Sequence, residues 1–198
     1  MLNVNDLLKL TDLINRFQLV RRQVLVRGEE RPENSVEHSY QLALTAWYLI
    51  TTEKLDLDLP KCLKYALAHD LVEVYAGDTW THHNDPAFVA SKPQREQAAA
   101  RRLRQEFPEF LELHEVIEGY EARADKESLF IYALDKLLPP LNVYLDGGRS
   151  WHVHNITLEM VKESKVAKVS VWPEVKRLYD ELMILFTDKQ GELFPKNK

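Results

Sequence analysis

Apolar residues in this chain recur three and four apart and almost nowhere alternate, which commits it to packing helices rather than sheets. From about Asn5 to Phe17, Leu7, Leu10, Leu13, Ile14 and Phe17 fall at helical spacing. Asn34 and Glu37 have capping-box spacing. They start a second helix with His38 in its first turn, running through Ala43, Trp47 and Ile50 to about Leu55. That helix is apolar nearly all round and is expected to be central. Asp58 as cap and Pro60 near the first helical position begin a third helix, which Gly77 ends. Pro93 opens a charged helix to Phe107, and Pro108 separates it from another ending near Tyr120. A helix from Asp125 to Leu138 is expected to stop at Pro139-Pro140. Asp146-Gly147-Gly148 reads as a turn, followed by helices from about Thr157 to Val169 and from Pro173 to about Lys189. Gln23 to Arg27 reads as a short extended segment or hairpin arm, and Arg31-Pro32-Glu33 as a loop, because the residue before a proline is biased away from helix.

Only six glycines in 198 residues agree with a mostly helical chain. That length suffices for one domain with a sizeable core and is short for two, so residues 1–198 read as one all-α domain. A net charge of -5 argues against broad affinity for nucleic acid or a membrane surface. Cys62 is the lone cysteine, so no intrachain disulfide can form and a reducing compartment fits. No run approaches the ~18 apolar residues that span a bilayer, and the N-terminus lacks signal-peptide character. A cytoplasmic location is the expectation.

The chemistry concentrates on a few polar residues inside apolar helices. His69-Asp70 interrupts Tyr65-Ala66-Leu67-Ala68 and Leu71-Val72, His38 opens the second helix, and Asp135 sits within Leu129 to Leu138. Buried charge must be paired or must coordinate a metal, and two imidazoles with two carboxylates suit one divalent ion. Such a donor set fits Mn, Co, Fe, Ni or Zn better than Ca or Mg. On the third helix, His69, Asp70 and Glu73 are four and three apart and share a face, and Asp78 follows the glycine. Spacing alone leaves a second reading open, in which these residues only complete a core network. Thr79 to Lys92, containing His82-His83-Asn84-Asp85-Pro86, is expected to be a loop or lid. Gly147-Gly148 lacks the preceding strand of a phosphate cradle. Arg101-Arg102-Leu103-Arg104 reads as a solvated helix face, and the last helix's apolar stripe as core, with a homodimer seam left open.

Three segments carry a family likeness. Arg31-Pro32-Glu33-Asn34-Ser35-Val36-Glu37-His38-Ser39 resembles the opening motif of the HD-domain metal-dependent phosphohydrolases. Ala68-His69-Asp70-Leu71-Val72-Glu73-Val74-Tyr75-Ala76-Gly77-Asp78 resembles their His-Asp motif, with the Glu and Gly-Asp of the 5'-deoxynucleotidase-like branch. Ala133-Leu134-Asp135-Lys136-Leu137 resembles the late Asp motif. The likeness spans about Leu7 to Phe186. It implies an all-helical HD fold, one divalent metal (Mg included) on His38, His69, Asp70 and Asp135, and proton transfer and water positioning by Glu73 and Asp78. It also implies a nucleotide substrate, a deoxynucleoside 5'-monophosphate foremost. At the end of helix one the branch has an Arg-Trp pair near phosphate and sugar. Arg16-Phe17 resembles it, which makes Arg16 the implied substrate-binding residue, with Arg21 or Arg22 as replacements because the stretch to His38 is longer here. Phosphodiester or alarmone hydrolysis and a non-catalytic helical module are the competing functions.

Overall fold

The computed structural model describes residues 2–83 and 85–195; Asn84, in the expected loop, lies outside them. Helix α1 (Val4–Gln18) starts in an Asn3–Asp6 capping box and turns Leu13 and Phe17 inward. Strands β1 (Arg21–Leu25) and β2 (Pro32–Asn34) then pair antiparallel, Arg21 opposite Asn34 and Leu25 opposite Pro32, with an irregularity between. The expected hairpin arm is therefore present, but Pro32-Glu33 lies in a strand rather than a loop. An edge strand tolerates proline because one side of its backbone needs no donor.

Helix α2 (Ser35–Thr52) begins where the sequence places it: the Asn34 side chain accepts from Val36 and Glu37 N–H, and Glu37 returns to the Asn34 N–H. Its position differs from expectation. Leu42, Ala46 and Ile50 are buried, but Tyr40, Leu44, Trp47 and Tyr48 on the other faces are exposed. The central element is instead α8 (Lys126–Leu145), which buries Phe130, Ile131, Leu134, Leu137 and Leu138. It continues through Pro139 and Pro140. A helix proline costs about 3 kcal/mol, whereas each large apolar side chain buried contributes roughly 1.5–3 kcal/mol. Leu134, Leu137, Leu138 and Val143 around the prolines outweigh that cost.

The expected third helix is divided. Helix α3 (Leu59–Ala68) is capped by Asp58 and ends at His69, and α4 (Glu73–Ala76) resumes after a tight stretch in which Leu71 and Glu73 N–H bond three residues back. Helices α5 (Pro86–Ala90), α6 (Lys92–Glu106) and α7 (Leu111–Ala122) follow. Leu13, Ala68, Val72, Leu103, Phe107 and Ile117 join α1, α3, α6 and α7 in a second apolar cluster. After α8, Gly147 and Gly148 turn the chain at positive φ. At Gly148 a Cβ would meet the Leu193 carbonyl oxygen at 2.1 Å, so the close approach there requires glycine. Helices α9 (Arg149–His154), α10 (Leu158–Val169), α11 (Pro173–Asp188) and α12 (Gln190–Leu193) complete the fold. Val175, Leu182 and Phe186 of the last long stripe are core. No helix among the described residues is long and apolar enough to cross a membrane.

Candidate metal centre and cleft

Three separate elements meet at one buried point. His38 comes from the first turn of α2, His69 from the end of α3, and Asp135 from the middle of α8. Their ligand atoms lie within 4.8 Å of one another. His38 Nε2 is 2.9 Å from Asp135 Oδ1, and His69 Nε2 is 3.8 Å from the same oxygen. Asp70 Oδ2 lies 3.0 Å from His69 Nε2. The His69 Nδ1–H donates to the Ala66 carbonyl at 3.0 Å, which turns Nε2 toward the two carboxylates. That Nε2 is buried and hydrogen-bonds to nothing, although two carboxylates stand beside it. A buried imidazole nitrogen set beside two carboxylates is a donor arrangement that a divalent cation bridges. The separations suit ligand bonds of about 2.0–2.2 Å, so the residues fit a divalent metal.

Asp70 has a second attachment: Arg22 Nη1 donates to its Oδ2 at 2.6 Å, while Arg22 Nε is 3.2 Å from Glu33 Oε1. Glu33 in turn lies 3.6 Å from His38 Nδ1. Burial works against the charge on Asp70, but His69 and Arg22 outweigh it and hold the carboxyl below its usual range. Burial is likewise overcome at Asp135, which Lys136, His38 and His69 keep well below that range. Glu73 behaves oppositely: burial, Asp70 and Asp78 push it well above the ordinary carboxylate value. Ser35 Oγ donates to Glu73 Oε2 at 3.2 Å. Burial also raises Asp78, which follows Gly77 on the segment that Arg95 of α6 holds through the Ala76 carbonyl and Thr79 Oγ1.

Above this floor opens a cleft of about 960 Å³, lined among others by Arg22, Asp70, Glu73, Asp78, Asp135 and Lys136. The two expected proton-transfer carboxylates thus share a cleft with the expected ligands, even though α3 and α4 are not one helix. Arg16 is not brought there. Its guanidinium bonds Tyr75 Oη, Glu106 and Asp12 outside the cleft, and Phe17 is buried beside it. Arg22 lines the cleft instead: by strand alternation in β1, Arg22 and Val24 turn inward while Arg21 is exposed. Sequence reading also missed Glu33, hidden in a presumed loop, and Trp80, whose ring lies 4.7 Å from that of His154 at the cleft wall. The signal for Glu33 was its place beside the Asn34 cap; for Trp80 there was none.

An all-α fold with a candidate metal centre at the floor of a deep cleft is the class of protein described so far. The sequence matches the HD domain family over residues 14–176, and the chain belongs to that family. The 5'-deoxynucleotidase HDDC2 of Homo sapiens is 34% identical over 134 residues, 66% of this chain and 63% of that protein. The Bos taurus protein of the same name is 33% identical over the same shares. This chain therefore spans about 63% of the length of the curated relatives it matches. The crystal structure of a predicted metal-dependent phosphohydrolase from Magnetospirillum magnetotacticum MS-1 has a TM-score of 0.79 at 27% identity, covering 96% of both chains.

Proposed function

We propose that this protein is a metal-dependent phosphomonoesterase that releases phosphate from nucleoside 5'-monophosphates, deoxynucleotides foremost. The observation that carries the reading is the convergence of Glu73 and Asp78 with a His-His-Asp cluster on one cleft. A purely structural cluster needs no further carboxylates facing it. The names of the relatives, 5'-deoxynucleotidases, favour the same substrate class. Residues 7–186 are taken as the core of one HD domain.

His38, His69, Asp70 and Asp135 would hold the ion, which the donor set makes one of Mn, Co, Fe, Ni or Zn, with Mg admitted. When bound it supplies positive charge that polarises a phosphoryl oxygen and acidifies water. Arg22, already aimed into the cleft by β1, neutralises phosphate charge, the role expected of Arg16. Glu73, pushed toward its protonated form by burial and by Asp70 and Asp78, is placed to deliver a proton to the leaving 5'-oxygen, while Asp78 orients the attacking water. Trp80 offers an apolar wall to the base or sugar. Positioning and electrostatic stabilisation provide most of the rate in this scheme.

Phosphate release from dAMP, AMP, 3'-AMP and a cyclic dinucleotide, each with Mn, Co or Mg, tests the proposal. The 5'-monophosphates should be cleaved and 3'-AMP poorly. Faster cleavage of the cyclic dinucleotide than of any 5'-monophosphate would transfer the protein to phosphodiester hydrolysis, which a cleft near the upper end of the usual ~300–1,000 Å³ for ligand pockets could accommodate.

A further inference from the structure

The cations nearest the cluster are already partnered, Arg22 with Asp70 and Glu33, and Lys136 with Asp135. Of the other cations that line the same cleft, Lys92, Arg104 and Arg123 pair with Glu96, Glu118 and Glu121, Arg101 is exposed, and Lys165 and Lys168 stand half-buried on α10. Val161, Ser164, Lys165 and Lys168 recur at helical spacing on α10 and form one of its walls. Among the described residues neither Lys165 nor Lys168 pairs with a carboxylate. Both are half-buried, and they lie three residues apart on one face, where like charges repel. Burial, with Lys136 and Lys168 nearby, pushes the Lys165 ammonium down to about 7, and burial with Lys136 lowers Lys168 as well. Asp135 and Arg22 also act on Lys165, so it stands within electrostatic reach of the cleft floor. Two unpartnered ammonium groups, partly withdrawn from water and facing a cavity, are an arrangement that an anion relieves.

We propose that Lys165 and Lys168 form a phosphate-binding subsite on the α10 wall of the cleft. The inference rests on the phosphohydrolase reading for its substrate and names residues outside all three family motifs. The phosphate has two sources: the reacting group itself, or a second phosphate on the same nucleotide.

Calorimetric titration of inorganic phosphate into the full chain in chelator, with no metal added, reads the subsite without catalysis. K165Q and K168Q together should weaken binding roughly tenfold or more, the loss of charge-assisted hydrogen bonds, with K165R restoring part of it. K162Q, on an exposed position of the same helix, should change nothing. Steady-state kinetics on dAMP and on a nucleoside 3',5'-bisphosphate then separate the sources. A raised KM for dAMP with kcat nearly kept assigns the reacting phosphate; a raised KM for the bisphosphate alone assigns the second. Unchanged phosphate affinity and unchanged KM for both substrates in a folded K165Q/K168Q protein would overturn the subsite. If the wild type cleaves no nucleotide, the enzyme reading falls, and the phosphate titration still decides the subsite.

Discussion

At the scale of single residues, neighbouring carboxylates are expected to separate by function. Asp70 faces the imidazole of His69 and is kept ionised by it and Arg22, whereas Glu73 is pushed toward its protonated form. Asp70→Ala should lose metal and turnover together. Glu73→Gln should retain metal and lose kcat by about 10²–10⁴, the usual worth of a positioned proton-transfer group; metal content by elemental analysis and initial rates on dAMP decide it. The arginines divide similarly. Arg22→Ala strands two little-exposed carboxylates, Asp70 and Glu33, and breaking such a buried pair costs about 3–5 kcal/mol. Arg16→Ala removes ion pairs with Asp12 and Glu106 that are partly open to solvent, where such pairs are worth about 0–1 kcal/mol each. Chemical denaturation and KM should therefore shift strongly for Arg22→Ala and little for Arg16→Ala. Equal effects on KM would return the phosphate role to Arg16.

At the scale of elements, the site depends on interruptions more than on regular structure. The chain leaves α3 at His69, re-enters helix at Glu73 and leaves again at Gly77, so that Asp70, Glu73 and Asp78 reach one cleft. Gly77 adopts φ 72° and ψ 153°, a region essentially confined to glycine. Gly77→Ala meets no neighbouring atom, so its expected cost of about 1–3 kcal/mol is backbone strain alone. The lower melting temperature should come with reduced kcat, because Asp78 is displaced, and with metal affinity kept. The sequence located the start of α2 and the Gly77 stop because capping and positive φ are local chemistry. It did not show the break after Ala68, nor the passage of α8 through two prolines, because neighbouring elements decide both.

At the scale of the molecule, metal and charge couple to the stability of the whole fold. The candidate ligands come from α2, α3, its following turn and α8, so an ion binds the folded arrangement and not the unfolded chain. At a hundred times its dissociation constant it should add about 2.7 kcal/mol. At about 2–4 °C per kcal/mol for a chain of this size, thermal unfolding in Mn against chelator should differ by roughly 5–10 °C, and the Asp135→Ala protein should lose that difference. Lys165 gives the opposite linkage. Its folded value, about 7, lies below the ~10.4 of an unfolded lysine. Between those values the native state binds fewer protons than the unfolded state, so the cost it imposes at pH 7 is relieved as pH rises. K165Q should melt above the wild type at pH 7, and the gap should close toward pH 10.

The sequence by itself determined the helical class, the caps of α2 and α3 and the identity of the metal-competent residues, because each depends on chemistry within a turn or two of chain. His38, His69, Asp70 and Asp135 were legible as polar residues that apolar helices could not carry without a partner. Tertiary structure alone decided which arginine faces the cleft, since a two-residue strand period set by pairing with β2 sends Arg22 in and Arg21 out. It also decided that α8 rather than α2 is central, and that α10 contributes lysines to the cleft wall. Those outcomes depend on contacts between segments far apart in the chain, where burial energy summed over many side chains overrides any local preference.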